Sequence, residues 1–113
     1  MSISDLLQSF EFHDGLLDDV VYDRDKKEVR MVIDFCYWMQ EGYRDEDPET
    51  GMVELVFRDV SVYEGLEGEV DSFSVLHMKL EDRFLLIGVL DDDTDEFHEI
   101  RLQAGTAQMN RLD

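Results

Sequence analysis

Carboxylates are the reactive groups this chain holds in excess, and they gather at two places. Asp45, Glu46, Asp47 and Glu49 surround the only proline, Pro48, while Asp91, Asp92, Asp93 and Asp95 lead into Glu96. Closely spaced oxygens are what a calcium ion takes. The first run departs from the helix–loop–helix calcium pattern, with Thr50 in place of the tight-turn glycine and Val56 in place of the bidentate glutamate. In the second, consecutive aspartates point apart unless the backbone wraps around an ion, so it reads as a solvated hairpin tip. No metal site is assigned to either run.

His13, His77 and His98 would need the fold to bring them together before they bound a metal, since no pair stands at close ligand spacing. His77 and His98 are expected to be partly exposed strand residues, and His13 to steady a turn through a backbone hydrogen bond. A nucleophilic thiolate needs an electropositive setting, but Cys36 stands among Asp34, Phe35, Tyr37 and Trp38 and reads as a buried thiol. General acid–base chemistry needs two carboxyl groups in different environments around a pocket, a condition that so many carboxylates leave uninformative. Asp34 is the one to follow; flanked by Ile33 and Phe35, it is expected to be half buried and paired with Arg30, or with Arg58 from a neighbouring strand. No catalytic residue and no cofactor are assigned.

The most suggestive constellation is aromatic. Tyr37, Trp38, Met39 and Tyr43 run into the carboxylates at 45–49. Aromatic residues and methionine are enriched at protein interfaces, and a surrounding acidic field steers a basic partner. The alternative is that Tyr37 and Trp38 complete the core.

The element that must position these groups is residues 28–39, EVRMVIDFCYWM, read as the central strand. Its period of two places Val29, Met31, Ile33, Phe35 and Tyr37 on one face, and Arg30, Val32, Asp34, Cys36 and Trp38 on the other. Residues 16–22 form the preceding strand, joined to it by the polar interval 23–27 as an antiparallel hairpin. Residues 2–10 repeat Ile3, Leu6, Leu7 and Phe10 at helical spacing behind a Ser2/Asp5 capping box, and form a lid on the end of the sheet. Residues 40–51 are a loop of mobile composition, and 52–60 a strand with Val53, Leu55 and Phe57 on one face. Residues 63–68, YEGLEG, read as a turn or irregular connection. In strand 72–80, Phe73, Val75, His77 and Lys79 alternate with Ser74, Leu76, Met78 and Leu80. Strands 84–90 and 97–104 follow, the latter with His98, Ile100 and Leu102 on one side, and 106–112 reads as a final edge strand or a short helix, the strand being preferred.

The whole is a single domain, 1–113: mainly β (α+β), an antiparallel meander of six to seven strands in a bent sheet or sandwich, with one short N-terminal helix. At 113 residues it is long enough to bury a core without disulfides, and 43% hydrophobic residues favour folding despite a formal charge of −19. With 29 acidic residues against 10 basic ones, nucleic acid and anionic membranes are repelled and a basic protein is attracted. The single cysteine, and the lack of a secretory leader pattern or a membrane-length apolar run, point to the cytoplasm.

Phe12-His13-Asp14, a first strand, a charged hairpin, a long apolar strand ending in aromatics and a strand finishing in Phe57-Arg58-Asp59-Val60 follow one another in an order that resembles small uncharacterised bacterial all-β domains. Some of these are proposed immunity proteins of polymorphic toxin systems. The resemblance implies a non-enzymatic protein that binds and blocks a cognate toxin, often a basic nuclease, and it assigns no individual residue. The expected function is therefore an acidic protein-binding module whose loops, Asp45 to Glu49 and Asp91 to Glu96, meet a basic surface. Two other expectations compete with it: a small enzyme or ligand-binding domain with a pocket near Asp34, Tyr37, Trp38 and a histidine, and a homo-oligomer pairing through a strand edge.

Overall fold

The computed structural model of the chain describes residues 1–112, apart from the side chains of Asp71 and Ser72. It opens with helix α1, Ile3–Ser9. Both halves of the capping box are made: the Asp5 amide donates to the Ser2 hydroxyl at 3.0 Å and the Ser2 amide donates to the Asp5 carboxylate at 3.2 Å. So short a helix is marginal by itself, and it is held by burying Ile3 and Leu6 against strands that follow.

Eight strands then form one antiparallel sheet: β1 Leu16–Asp23, β2 Glu28–Cys36, β3 Thr50–Arg58, β4 Val62–Glu64, β5 Gly68–Glu81, β6 Phe84–Asp91, β7 Phe97–Gln103 and β8 Thr106–Arg111. Their order is β4-β7-β6-β5-β1-β2-β3-β8, two meanders fused through the β5–β1 pair, with β4 and β8 at open edges. The sheet is bent back on itself. Tyr22 of β1 meets Tyr63 of edge strand β4 with ring centroids 5.2 Å apart. A flat sheet would keep three strands, β7, β6 and β5, between β1 and β4.

The concave face carries the core. Val29, Met31, Ile33 and Phe35 of β2 alternate inward as expected, joined by Val53, Leu55 and Phe57 of β3, Leu85, Ile87 and Val89 of β6, and Ile100 and Leu102 of β7. A bulge between Leu17 and Asp19 lets Leu17 and Val20 both point inward although three positions separate them. On the convex face of β2, β3 and β8 runs a polar ladder. Arg30 binds Glu28 at 2.9 Å and Glu54 at 3.5 Å, Asn110 donates to Glu54, Gln108 to Asn110, and Arg58 to Gln108 at 2.8 Å. Val56 lies buried between its neighbours Arg30 and Gln108, whose long side chains shield it from water.

Several expectations are corrected. The central strand stops at Cys36, and Tyr37–Met39 is a turn of 3₁₀ helix. β4 is a strand where 63–68 read as a turn or irregular connection; three residues are too short for an alternation to show, and only pairing to β7 reveals them. It brings the strand count to eight. In β5 a bulge between Val75 and His77 reverses the alternation. Phe73 and Val75 face the core, but beyond the bulge it is Met78, opposite Ile87, that does so, and His77 lies on the convex face over Gly88. Asp34 makes neither expected ion pair, because the register sets it opposite Met52, while Arg30 faces Val56 and Arg58 lies beyond Phe57 at the other end of the pair, where both join the polar ladder.

Candidate functional site

Where β2 ends, the chain turns rather than extends, and one side chain fixes that turn. The Gln40 amide nitrogen donates to the carbonyls of Glu11 (2.7 Å) and Cys36 (2.8 Å), while its oxygen accepts from the Glu11 amide at 2.9 Å. The segment after α1 is thereby stitched to the 3₁₀ turn. Gln40 was not singled out by sequence reasoning; a lone glutamine beside an acidic run carries no signal, and its partner Glu11 lies 29 positions away.

The aromatic constellation divides. Tyr37 is a core residue, 5% exposed, with its ring edge-on to Phe35 at 5.4 Å and the Arg111 guanidinium over its face at 4.4 Å. Trp38, the next residue, is 52% exposed, and its amide donates to the Glu49 carbonyl, anchoring the far end of the acidic loop. Met39 is half buried beside Glu11, His13 and His77. Tyr43 is half buried against the core, so it belongs to the rim rather than to a free surface.

The loop from 40 to 49 has internal order. The Tyr43 hydroxyl donates to the Asp47 carbonyl at 3.1 Å, the Arg44 amide to the Asp47 carboxylate at 3.2 Å, and the Asp47 amide to the Arg44 carbonyl. Asp45, Glu46, Asp47 and Glu49 all remain exposed. Partial desolvation, helped by the charges of Glu49, Asp45 and Asp47, pushes the Tyr43 hydroxyl's pKa above its ordinary value.

Beneath this loop lies a cavity of about 180 Å³. Phe10, Phe35, Tyr37, Tyr43 and Met109 supply its apolar walls, and Gln40, Glu41, Asp47 and Arg111 its polar rim. Neither Asp34 nor Trp38 contributes to it.

The other expected site residues are elsewhere. Asp91, Asp92, Asp93 and Asp95 form the β6–β7 turn, in which the Asp91 carboxylate accepts from the amides of Asp93 and Thr94, and Asp92 accepts from the Ser74 hydroxyl at 2.6 Å. Among the described residues no hydrogen bond, ion pair or ring contact joins this tip to Trp38 or to the 40–49 loop. The histidines are dispersed: His13 faces the Asp14 carboxylate at 3.3 Å, His98 lies beside Phe73 and His77 beside Phe97. The His13 backbone amide donates to the Glu11 carboxylate at 3.1 Å within its turn. No group of three or more His, Cys, Asp or Glu among the described residues is arranged to hold a metal ion. The Cys36 thiol is buried and donates to the Asp14 carbonyl; burial, with the charges of Asp14 and Asp34, raises its pKa, which opposes a thiolate role.

No helix is long and apolar enough to cross a membrane among the described residues. Comparison with known protein families, with characterised proteins and with solved structures gives no match to this chain.

Proposed function

We propose that the protein is a small acidic protein-binding module for a basic partner, of the immunity type that blocks a basic toxin or another basic protein. The observation that carries this reading is Trp38. Its neighbours Cys36 and Tyr37 are buried, yet the 3₁₀ turn that Gln40 holds in place leaves half of the indole in solvent beside a loop of four exposed carboxylates. Tryptophan is among the residues that dominate binding energy at interfaces, and its ring face attracts lysine and arginine. The formal charge of −19 supplies a long-range field that accelerates encounter with a cationic surface.

The test is purification of the bound partner, followed by kinetics with the pure components. A basic protein is expected, with an association rate that falls steeply as salt rises. Trp38→Ala is expected to weaken affinity by roughly 30-fold or more, the loss of about 2 kcal/mol that marks an interface hot spot. An acidic partner, or binding indifferent to both salt and Trp38, would overturn the reading.

A further inference from the structure

The cavity under the acidic loop has the chemistry of a receptor for one side chain. It is smaller than the ~300–1,000 Å³ of ordinary ligand pockets, at about 180 Å³. Its walls, Phe10, Phe35, Tyr37 and Met109, are apolar and largely aromatic, suited to an alkyl stem and a flat cation. Two carboxylates, Glu41 and Asp47, stand on its rim and outnumber its one cation, Arg111. That cation is informative. The Arg111 guanidinium already lies over the Tyr37 ring at 4.4 Å, so this wall accepts a guanidinium. Arg111 forms no ion pair with a carboxylate among the described residues, and it is exposed on edge strand β8, so little holds it there beyond the ring.

We propose that this cavity receives an arginine side chain from the basic partner, which displaces Arg111 from the Tyr37 ring and meets the carboxylates of Asp47 and Glu41. This deepens the preceding reading and rests on it for the identity of the ligand's carrier. Arg111 is then a built-in competitor: it covers the aromatic wall in the free protein and sets how tightly an incoming arginine binds. A planar guanidinium can stack on the ring and present donors to a carboxylate at once, which an ammonium does less well.

The experiment uses the full chain, labelled with ¹⁵N, and titrates N-acetyl-arginine amide against its neutral isostere N-acetyl-citrulline amide and against N-acetyl-lysine amide. The arginine probe is expected to give saturable shifts confined to amides around the cavity, such as Gly42, Tyr43 and Met109, and the other two much weaker ones. Arg111→Ala is expected to raise the affinity for the arginine probe by roughly 2–5-fold, the worth of an exposed cation–π contact. Asp47→Asn should lower it several-fold. Equal response to arginine and citrulline, equal response to lysine, shifts that spread over the acidic surface without saturating, or an Arg111→Ala variant that binds no better would each overturn the proposal. The two readings fail separately. A basic partner whose affinity ignores Arg111 and Asp47, with no probe response, removes the cavity's role and keeps the partner. Saturable probe binding without any basic partner keeps the cavity and removes the partner.

Discussion

Gly88 shows how much a single residue decides. A Cβ there would stand 2.4 Å from Cε1 and 2.7 Å from Nε2 of His77, whose ring lies directly over it on the convex face. His77 Nε2 is itself buried without a hydrogen-bond partner among the described residues, so the ring is pressed into place by shape rather than by polar contact. Gly88→Ala must therefore expel the imidazole, and overpacking of this kind typically costs ~1–3 kcal/mol. Urea unfolding is expected to show that loss in the single variant and to recover most of it in Gly88→Ala/His77→Ala, since the two effects are coupled through one contact. An undiminished cost in the double variant would locate the strain elsewhere. From the sequence, His77 read as aligned with Val75, because a strict period of two has no place for the bulge that rotates it to the opposite face.

At the scale of elements, a two-residue hairpin turn joins β5 to β6. Glu81 pairs with Phe84, leaving Asp82 and Arg83 as the two central residues, both with positive φ, 49° and 76°. That is the conformation of the mirror-image hairpin turns whose twist matches the strands, for which Asp-Gly is a preferred pair. Arg83→Gly relieves the ~1–2 kcal/mol of left-handed strain that a side chain carries, against the ~0.5–1 kcal/mol entropy cost of a glycine. A net stabilisation of about 0.5 kcal/mol follows from those two terms, read as a higher urea midpoint with an unchanged slope. A lower midpoint would mean that Arg83 makes a compensating contact. The hairpin itself was legible, since Glu81-Asp82-Arg83 interrupts two apolar runs. The end of β2 was not: Tyr37 and Trp38 are strand formers by type, and the 3₁₀ turn exists because Gln40 is bound by Glu11 from across the fold.

For the whole molecule, alkali should be the weak side. Burial, reinforced by the charge of Glu67, raises the pKa of Tyr63, whose hydroxyl donates to the Leu66 carbonyl and whose ring closes the bent sheet against Tyr22. Burial also raises that of Cys36. Both groups are neutral when protonated and hold their protons more tightly folded than unfolded. The stability they contribute is thus complete below their unfolded pKa values, ~8.5 for a thiol and ~10 for a phenol, and is lost as pH rises through the higher folded values. The urea midpoint is expected to stay level between pH 7 and about 8 and to fall above that. Tyr63→Phe combined with Cys36→Ala should flatten the fall relative to each variant's own value at pH 7. An equal fall in the double variant would assign alkaline sensitivity to other groups.

What the sequence by itself determined is local or periodic. The helix and its capping box, the inward row of Val29, Met31, Ile33 and Phe35, the partner row of Val53, Leu55 and Phe57 and the burial of Cys36 all follow from spacing, capping chemistry and side-chain type, which act between near neighbours in the chain. Tertiary structure alone decided which strands adjoin beyond the expected hairpins, that three residues at Val62–Glu64 complete an edge, and that the sheet folds over until Tyr22 meets Tyr63. It also divided the aromatic stretch, burying Tyr37 under Arg111 while leaving Trp38 in solvent. Those outcomes depend on contacts between residues far apart in the chain, whose free energy no window of sequence contains.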